Sequence, residues 1–225
     1  MLDAIEMKTQ AEPTASLIVL HGLGADGQDF VPIVQALRLQ GVGGLRVVLP
    51  HAPVMPVTIN GGQRMRAWYD IRGTALDRQE DEAGLRASLV EVHGLITREI
   101  ERGIPASRIV LMGFSQGCAM TLMAGLRFPE RLAGLIGLSG YLPLLPQTEA
   151  EAHPANADVP IFLAHGLQDA VVPLARAHAA RAELQRLGYA PQWQDYPMGH
   201  EVCIEEIDAL SDWLSERLGS AAPST

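Results

Sequence analysis

Ser115 is the residue whose surroundings most clearly predict chemistry. It is the centre of the segment Gly-Phe-Ser-Gln-Gly at 113–117, which follows an apolar run at 108–112 and precedes a helical pattern at 118–128. That order predicts a sharp strand-to-helix turn, and glycine two residues to either side removes side chains that would clash in it. The pattern therefore predicts an exposed serine nucleophile beside a helix N-terminus. The alternative interpretation is an ordinary turn with a capping serine and packing glycines.

A serine nucleophile needs a base within hydrogen-bond reach and a carboxylate that orients this base. Asp169 follows the apolar run 160–164, and His200 follows the run 192–196 just ahead of the last helical pattern. We predict Ser115 as nucleophile, His200 as base and Asp169 as orienting acid. His165 is an alternative base, because it lies four residues before Asp169. Other acids and histidines lie within a strand, before a strand, in a loop or on a helix: Asp158, Asp195, His93, His153 and His178.

The glycine-rich segment His-Gly-Leu-Gly-Ala-Asp-Gly at 21–27 can be interpreted in two ways. Its glycines satisfy G-x-G-x-x-G, the dinucleotide-binding pattern, which predicts an acid about 20 residues further on. The residues there are Leu-Pro-His at 49–51, so that pattern is incomplete. The second interpretation is an oxyanion loop, in which the backbone N–H of Leu23 acts together with that of Gln116. We favour the oxyanion loop because it also accounts for Ser115 and His200.

The elements that position these residues follow an alternating pattern. Short apolar runs bounded by Gly or Pro alternate with longer helical patterns, which predicts a mostly parallel sheet covered by helices on both faces. The predicted strands are 16–20, 45–49, 108–112, 135–138, 160–164 and 192–196, and the predicted helices are 30–39, 80–102, 118–128, 174–187 and 201–218. We interpret 50–78 and 141–159 as long loops, 220–225 as a frayed tail and 1–225 as a single domain.

Composition excludes several classes of function. The 225 residues carry 17 Lys and Arg against 26 Asp and Glu, a net charge of -9, so no basic surface is expected for nucleic acid. The single lysine, Lys8, leaves Schiff-base chemistry without a candidate. Cys118 and Cys203 do not form a C-x-x-C motif, and we predict no metal and no other cofactor. The chain start is acidic and no apolar run reaches about 18 residues, which predicts a cytoplasmic protein without stable membrane insertion.

Several segments together resemble one known family, the phospholipase/carboxylesterase branch of the α/β-hydrolases, which includes bacterial carboxylesterases and acyl-protein thioesterases. The order Ser115, Asp169, His200 is that of the α/β-hydrolase triad. The resemblance spans nearly the whole chain and rests on His-Gly-Leu-Gly-Ala-Asp-Gly at 21–27, Pro-His-Ala-Pro at 50–53, Val-Thr-Ile-Asn-Gly-Gly at 57–62, Ala-Trp-Tyr-Asp at 67–70, Gly-Phe-Ser-Gln-Gly at 113–117, His-Gly at 165–166 with Asp169, and Gly-His at 199–200.

The resemblance implies an α/β-hydrolase fold and an acyl pocket near Leu23, Trp68 and Val172. A sheet of at least six strands with its covering helices uses most of the 225 residues, which predicts that there is no separate cap domain. The resemblance also implies a serine carboxylesterase that acts on simple carboxylic esters through an acyl-enzyme on Ser115. The bulk of Trp68 and of the loops near Val172 close to this serine predicts short- to medium-chain esters as substrates. An acyl-protein thioesterase or a lysophospholipase with the same triad is the alternative, and a dinucleotide-binding oxidoreductase is the alternative from another class. The expected partner is a small-molecule or lipid ester or thioester, and a homodimer is left open.

Overall fold

The computed structural model describes residues 2–73 and 79–219. Its strands are β1 (Ala4–Lys8), β2 (Ala15–Leu20), β3 (Leu45–Pro50), β4 (Val54–Val57), β5 (Gln63–Arg66), β6 (Ile71–Arg72), β7 (Gln79–Glu80), β8 (Ile109–Phe114), β9 (Gly134–Leu138), β10 (Ile161–Gly166) and β11 (Gln192–Tyr196). The α-helices are α1 (Val31–Ala36), α2 (Glu82–Glu101), α3 (Gln116–Arg127), α4 (Leu145–Glu151), α5 (Leu174–Arg186) and α6 (Ile204–Leu218).

A central sheet with the order β1-β3-β2-β8-β9-β10-β11 organises the molecule. Its strands are parallel except β1, which pairs antiparallel with β3. The predicted mostly parallel sheet is therefore confirmed. Because parallel strands end at the same edge, the loops after β8, β10 and β11 lie close together, and this edge is where such sheets bind ligands.

Two apolar cores cover the two faces of this sheet, because successive strand residues point to opposite sides. Ile18 of β2 packs in the core that contains α2 and α3, whereas its neighbour Leu17 packs in the core that contains α6. Both residues are fully buried. Strands β2, β3, β8 and β10 are thus buried on both faces, as their apolar sequences predict.

Several elements differ from the sequence prediction. The predicted loop 50–78 contains the hairpin β4–β5, and the predicted loop 141–159 contains α4. The predicted helix 30–39 is shorter, because a 3-10 turn (Gly27–Phe30) precedes α1 and Leu37 is extended. The predicted tail 220–225 and the end of the loop 50–78 lie outside the described residues. None of the helices in the described ranges has the length and apolarity that crossing a bilayer requires.

Candidate active site

Ser115 lies in the turn between β8 and α3, as its glycine spacing predicts. Its backbone has a φ of 56° and a ψ of -117°, a left-handed conformation that L residues rarely adopt. A Cβ atom at Gly117 would overlap the carbonyl group of Leu20, and one at Gly113 would overlap the carbonyl of Gly117. The N–H of Ser115 donates to Leu138 O at 2.8 Å. Close packing of this turn against two strands therefore holds the strained serine in place.

Three side chains from three loops form one hydrogen-bonded chain. Ser115 Oγ lies 2.9 Å from His200 Nε2, and His200 Nδ1 lies 2.7 Å from Asp169 Oδ2. The other oxygen of Asp169 accepts hydrogen bonds from the N–H groups of Val171 and Val172, both at 2.8 Å. Because a carboxylate only accepts hydrogen bonds, the proton of His200 belongs on Nδ1. His200 Nε2 is then an acceptor for the serine proton.

His165, the alternative base, occupies a different place. Its ring is fully buried, with Nε2 2.9 Å from Val172 O and 3.4 Å from Asp169 Oδ2. The shorter contact indicates that Nε2–H donates to the carbonyl of Val172. Burial lowers the pKa of His165 below its usual value. His165 therefore supports the loop that carries Asp169 and makes no hydrogen bond to Ser115.

The glycine-rich loop after β2 faces Ser115 with free backbone donors. Within the described residues, no hydrogen bond uses the N–H of Leu23 or of Gln116. Gly24 N–H donates to Arg66 O at 2.8 Å, which ties the loop to β5. The oxygen of a carbonyl group whose carbon lies at Ser115 Oγ would face both free N–H groups, because Gln116 directly follows the serine and Leu23 lines the same cleft.

His21 holds this loop through hydrogen bonds, a role that was not predicted from the sequence. Its Nδ1 lies 2.7 Å from Gly22 O, and its Nε2 accepts the N–H of Ala52 at 3.0 Å. These partners require a neutral ring with the proton on Nδ1, and burial lowers the pKa of His21 accordingly. The position of a histidine directly after an apolar strand was the available signal. Fixing two segments through one neutral ring keeps the loop rigid.

Trp68 requires a correction, because it lies beneath the site and does not line a cleft. Its side chain is 2% exposed, and Nε1 donates to His21 O at 2.8 Å. Its backbone N–H donates to Gln116 Oε1 at 2.8 Å, while Gln116 Nε2 donates to Tyr69 O at 2.7 Å. Its indole is thus a buried support for the loop and the turn. Val172, the other predicted pocket residue, does line a cleft beside Ser115.

Two clefts meet at Ser115 and share Leu23 and Val171. The first, the Tyr141 cleft, has a volume of about 340 Å³ and is lined chiefly by Ile59, Tyr69, Ile71, Gln116, Tyr141, Val172 and Arg176. The second, the Phe30 cleft, has a volume of about 430 Å³ and is lined chiefly by Asp29, Phe30, Ile33, Phe114, His200, Glu201 and Val202. A substrate bonded to the serine can therefore extend in two directions.

Neither cysteine competes with Ser115 as a nucleophile. Cys118 is buried, and burial raises the pKa of its thiol to about 12, so it stays protonated at neutral pH. Burial also raises the pKa of Cys203. Within the described ranges, no three His, Cys, Asp or Glu side chains gather as metal ligands would.

Comparison with known proteins identifies the family. The sequence model of the phospholipase/carboxylesterase family matches residues 3–218. The chain belongs to this family. Acyl-protein thioesterase 1 of Neurospora crassa is 46% identical over 222 residues, which cover 94% of this chain and 90% of the relative. Acyl-protein thioesterase 1 of Gibberella zeae is 39% identical over 218 residues, with 92% of each chain covered.

Solved structures that are similar to this chain agree with the family assignment. Arabidopsis thaliana SOBER1 superimposes with a TM-score of 0.86 at 29% identity, covering 91% of this chain and 99% of that one. Acyl-protein thioesterase 2 of Zea mays gives 0.84 at 28% identity, covering 97% and 100%. The α/β-hydrolase fold and the assignment as a serine hydrolase are thereby confirmed. The comparisons support the thioesterase alternative better than the carboxylesterase prediction.

Family membership also removes the dinucleotide interpretation of the segment 21–27. Its last glycine has a packing role, because a Cβ atom at Gly27 would overlap the carbonyl group of Leu49. The N–H of Gly27 donates to His51 Nδ1 at 3.2 Å. Close contact between this turn and β3 therefore requires a glycine at position 27.

Proposed function

We propose that this serine hydrolase cleaves the thioester bond between an acyl group and a protein cysteine, using Ser115, His200 and Asp169. The observation that carries the proposal is the hydrogen-bonded chain from Ser115 through His200 to Asp169, beside an apolar cleft. The similarity to acyl-protein thioesterases at 46% and 39% identity supports a thioester as the substrate. Under this proposal Leu23 and Gln116 form the oxyanion hole.

The reaction follows from the positions of these groups. Ser115 Oγ attacks the thioester carbonyl while His200 Nε2 takes the serine proton, and the carbonyl oxygen becomes an oxyanion that accepts hydrogen bonds from Leu23 N–H and Gln116 N–H. When the tetrahedral intermediate collapses, the C–S bond breaks and the imidazolium returns its proton to the thiolate. Water then attacks the acyl-serine ester, His200 takes a proton from this water, and Ser115 regains a proton as the carboxylic acid leaves.

The position of His200 assigns the two clefts to the two halves of the substrate. The imidazolium must reach the leaving sulfur, and His200 lines the Phe30 cleft. Gln116, which donates to the oxyanion, lines the Tyr141 cleft. We therefore place the thiol side in the Phe30 cleft and the acyl chain in the Tyr141 cleft. Ile59 and Val171, which are 50% and 64% exposed, form an apolar entrance to the Tyr141 cleft.

The second candidate is the carboxylesterase activity on short- to medium-chain esters that the sequence predicts. The same groups can expel an alkoxide, because the imidazolium supplies a proton to the leaving atom. The apolar lining of the Tyr141 cleft favours this candidate too, since burial of each acyl methylene contributes about 0.8 kcal/mol with either leaving atom.

Paired peptides distinguish the two candidate activities. The peptides of each pair have the same sequence and carry either an S-acyl cysteine or an O-acyl serine, with acyl chains of four to sixteen carbons. We expect kcat/KM for the S-acyl peptides to exceed that for their oxygen counterparts by tenfold or more, and Ser115→Ala to abolish both activities. Hydrolysis of simple oxygen esters without cleavage of S-acyl peptides would instead identify a carboxylesterase. Full activity in Ser115→Ala would remove Ser115 as the nucleophile.

A further inference from the structure

Arg176 places a positive charge in the wall of the apolar Tyr141 cleft. Its guanidinium carbon lies 3.5 Å from the centroid of the Tyr141 ring, a cation–π contact. The Tyr141 hydroxyl is 2.6 Å from that of Tyr69, so the ring beneath the guanidinium is itself held in place. The charged group is therefore positioned on a rigid platform inside the cleft that contains Ser115.

Among the described residues, no carboxylate balances the charge of Arg176. Arg176 Nη1 is buried and has no hydrogen-bond partner among the described residues, and no ion pair in those ranges includes Arg176. The buried Arg46, by contrast, pairs with Glu99 at 3.0 Å. Arg176 is also the third residue of α5, where the helix dipole disfavours a cation. A buried donor without a partner costs free energy, which a ligand with a matching acceptor would recover.

We propose that Arg176 is a subsite for a carboxylate at the far end of a short acyl chain, so that the enzyme accepts half-thioesters of dicarboxylic acids. The inference rests on the proposed function and on the acyl assignment of the Tyr141 cleft. A planar guanidinium binds a carboxylate through two parallel hydrogen bonds, and apolar walls strengthen such a pair. The methylenes between the two carbonyl groups would contact Tyr69 and Ile71.

The Phe30 cleft cannot offer the same ligand a comparable site. Asp29 and Glu201 line it, and both would repel a carboxylate. The charges of the two clefts therefore differ in sign near Ser115. An anionic group is expected on the acyl side of the substrate and not on the thiol side.

The test compares two thioesters of N-acetylcysteamine, the half-thioester of adipic acid and the heptanoyl thioester, which has a neutral end of similar length. Thiol release gives kcat and KM for the unaltered protein, for Arg176→Met and for Arg181→Met. Arg181 is a matched control, because it lies on the same helix over the ring of Trp193, at 5.4 Å, and does not line the cleft. We expect the adipoyl-to-heptanoyl ratio of kcat/KM to fall tenfold or more in Arg176→Met, mainly through KM, and to stay unchanged in Arg181→Met.

A third substrate, the heptanoyl thioester of 3-mercaptopropionate, carries its carboxylate on the thiol side. We expect Arg176→Met to change its kcat/KM by the same factor as that of the heptanoyl thioester of N-acetylcysteamine. Suppose instead that Arg176→Met lowers kcat/KM for this substrate more than for the heptanoyl thioester of N-acetylcysteamine, and leaves the adipoyl-to-heptanoyl ratio of kcat/KM unaltered. The anion site then serves the thiol side, and the proposal is overturned. If Arg176→Met leaves the ratios of kcat/KM among all three substrates unaltered, Arg176 only packs over Tyr141, and the proposal is overturned as well.

The unaltered protein provides a measurement that does not depend on folding of a variant. Adipate should inhibit heptanoyl thioester hydrolysis at a concentration at least tenfold lower than heptanoate does, and equal inhibition would contradict the carboxylate subsite. If the unaltered protein hydrolyses neither thioesters nor esters, the proposed function is contradicted. If the unaltered protein hydrolyses the heptanoyl thioester but Arg176→Met leaves the adipoyl-to-heptanoyl ratio of kcat/KM unchanged, only the role of Arg176 is contradicted.

Discussion

Both carboxylate oxygens of Asp169 accept hydrogen bonds, and this arrangement determines how the imidazole of His200 is held. One oxygen accepts from His200 Nδ1, and the other accepts from the N–H groups of Val171 and Val172. An asparagine would have to place its NH₂ group against one of these donors. Either the loop loses a hydrogen bond or His200 is held in the tautomer that cannot accept the serine proton.

We therefore expect Asp169→Asn to lower kcat by on the order of a thousandfold to ten-thousandfold with the fold retained. Ester turnover and circular dichroism of the purified variant measure the two effects. Asp195→Asn is the matched control, because Asp195 accepts a hydrogen bond from Trp193 Nε1 and does not contact the triad. Equal losses in the two variants would contradict the role of Asp169.

The sequence predicts a role only for the backbone N–H of Gln116, but its side chain also has a structural role. Its amide bridges Trp68 N and Tyr69 O, and the residue is 3% exposed. Removing the amide deprives two buried groups of a hydrogen bond, the N–H of Trp68 and the carbonyl of Tyr69. Each such group costs about 1–3 kcal/mol.

Gln116→Ala is therefore expected to lower the free energy of unfolding by about 2 kcal/mol or more, and to reduce turnover through misplacement of the oxyanion loop. Urea denaturation followed by fluorescence measures the first effect. Gln192→Ala, at the exposed start of β11, serves as the comparison. Unchanged stability in Gln116→Ala would show that water replaces the amide.

At the scale of elements, the start of α6 contains a buried acid. Glu206 is fully buried, and neither of its carboxylate oxygens has a hydrogen-bond partner among the described residues. Burial raises its pKa from 4.5 to about 8. Glu206 is therefore neutral in the folded protein at pH 7.

Stability should consequently fall as the pH rises from about 4.5 to 8, because the unfolded chain releases this proton while the folded protein retains it. Each unit of pKa shift corresponds to about 1.4 kcal/mol, so the loss is on the order of 4 kcal/mol. Glu206→Gln removes the titration. We expect its unfolding free energy, relative to the unaltered protein, to increase by a few kcal/mol between pH 5 and pH 8.5. Glu205→Gln, an exposed neighbour, should show no such trend.

Elements differ in how far their sequences reveal them. The runs that became β2, β3, β8 and β10 are buried on both faces, so their apolarity alone predicted strands. Strand β1 has the burial of an edge strand, and its sequence Ala-Ile-Glu-Met-Lys carries charges that conceal it. Helix α4 begins at Leu145 with a proline in its first turn and has only seven residues, which is too short for a helical period to emerge.

The candidate site shows the same limit. Spacing and order along the chain predicted Ser115, Asp169 and His200, because each follows a strand that ends at the same sheet edge. The burial of Trp68 could not be predicted, since an indole near a site can equally line a cleft or support a loop. The charge of Arg176 gave no sequence signal, because its position over Tyr141 depends on how α5 packs against the loop after β9.

At the scale of the whole molecule, the sheet couples the two cores. Trp68 belongs to the core that contains α2 and α3, and Trp213 belongs to the core that contains α6. Adjacent residues of the same strand, such as Leu17 and Ile18, serve opposite cores. Neither core can therefore lose its packing while the strands keep theirs. We propose on this basis that the chain is a single domain that unfolds as one unit.

Two fluorescent probes test this proposal, one on each face of the sheet. Single-tryptophan variants that retain only Trp68 or only Trp213, with the other two tryptophans changed to Phe, should unfold in urea with coincident midpoints and equal m-values. Far-ultraviolet circular dichroism of each variant should follow the same curve. For 225 residues, one cooperative transition corresponds to an unfolding enthalpy of about 160 kcal/mol near 60 °C. Separate midpoints for the two tryptophans, or a calorimetric enthalpy well above the van't Hoff value, would divide the chain into two units, with the face that unfolds first identified by its probe.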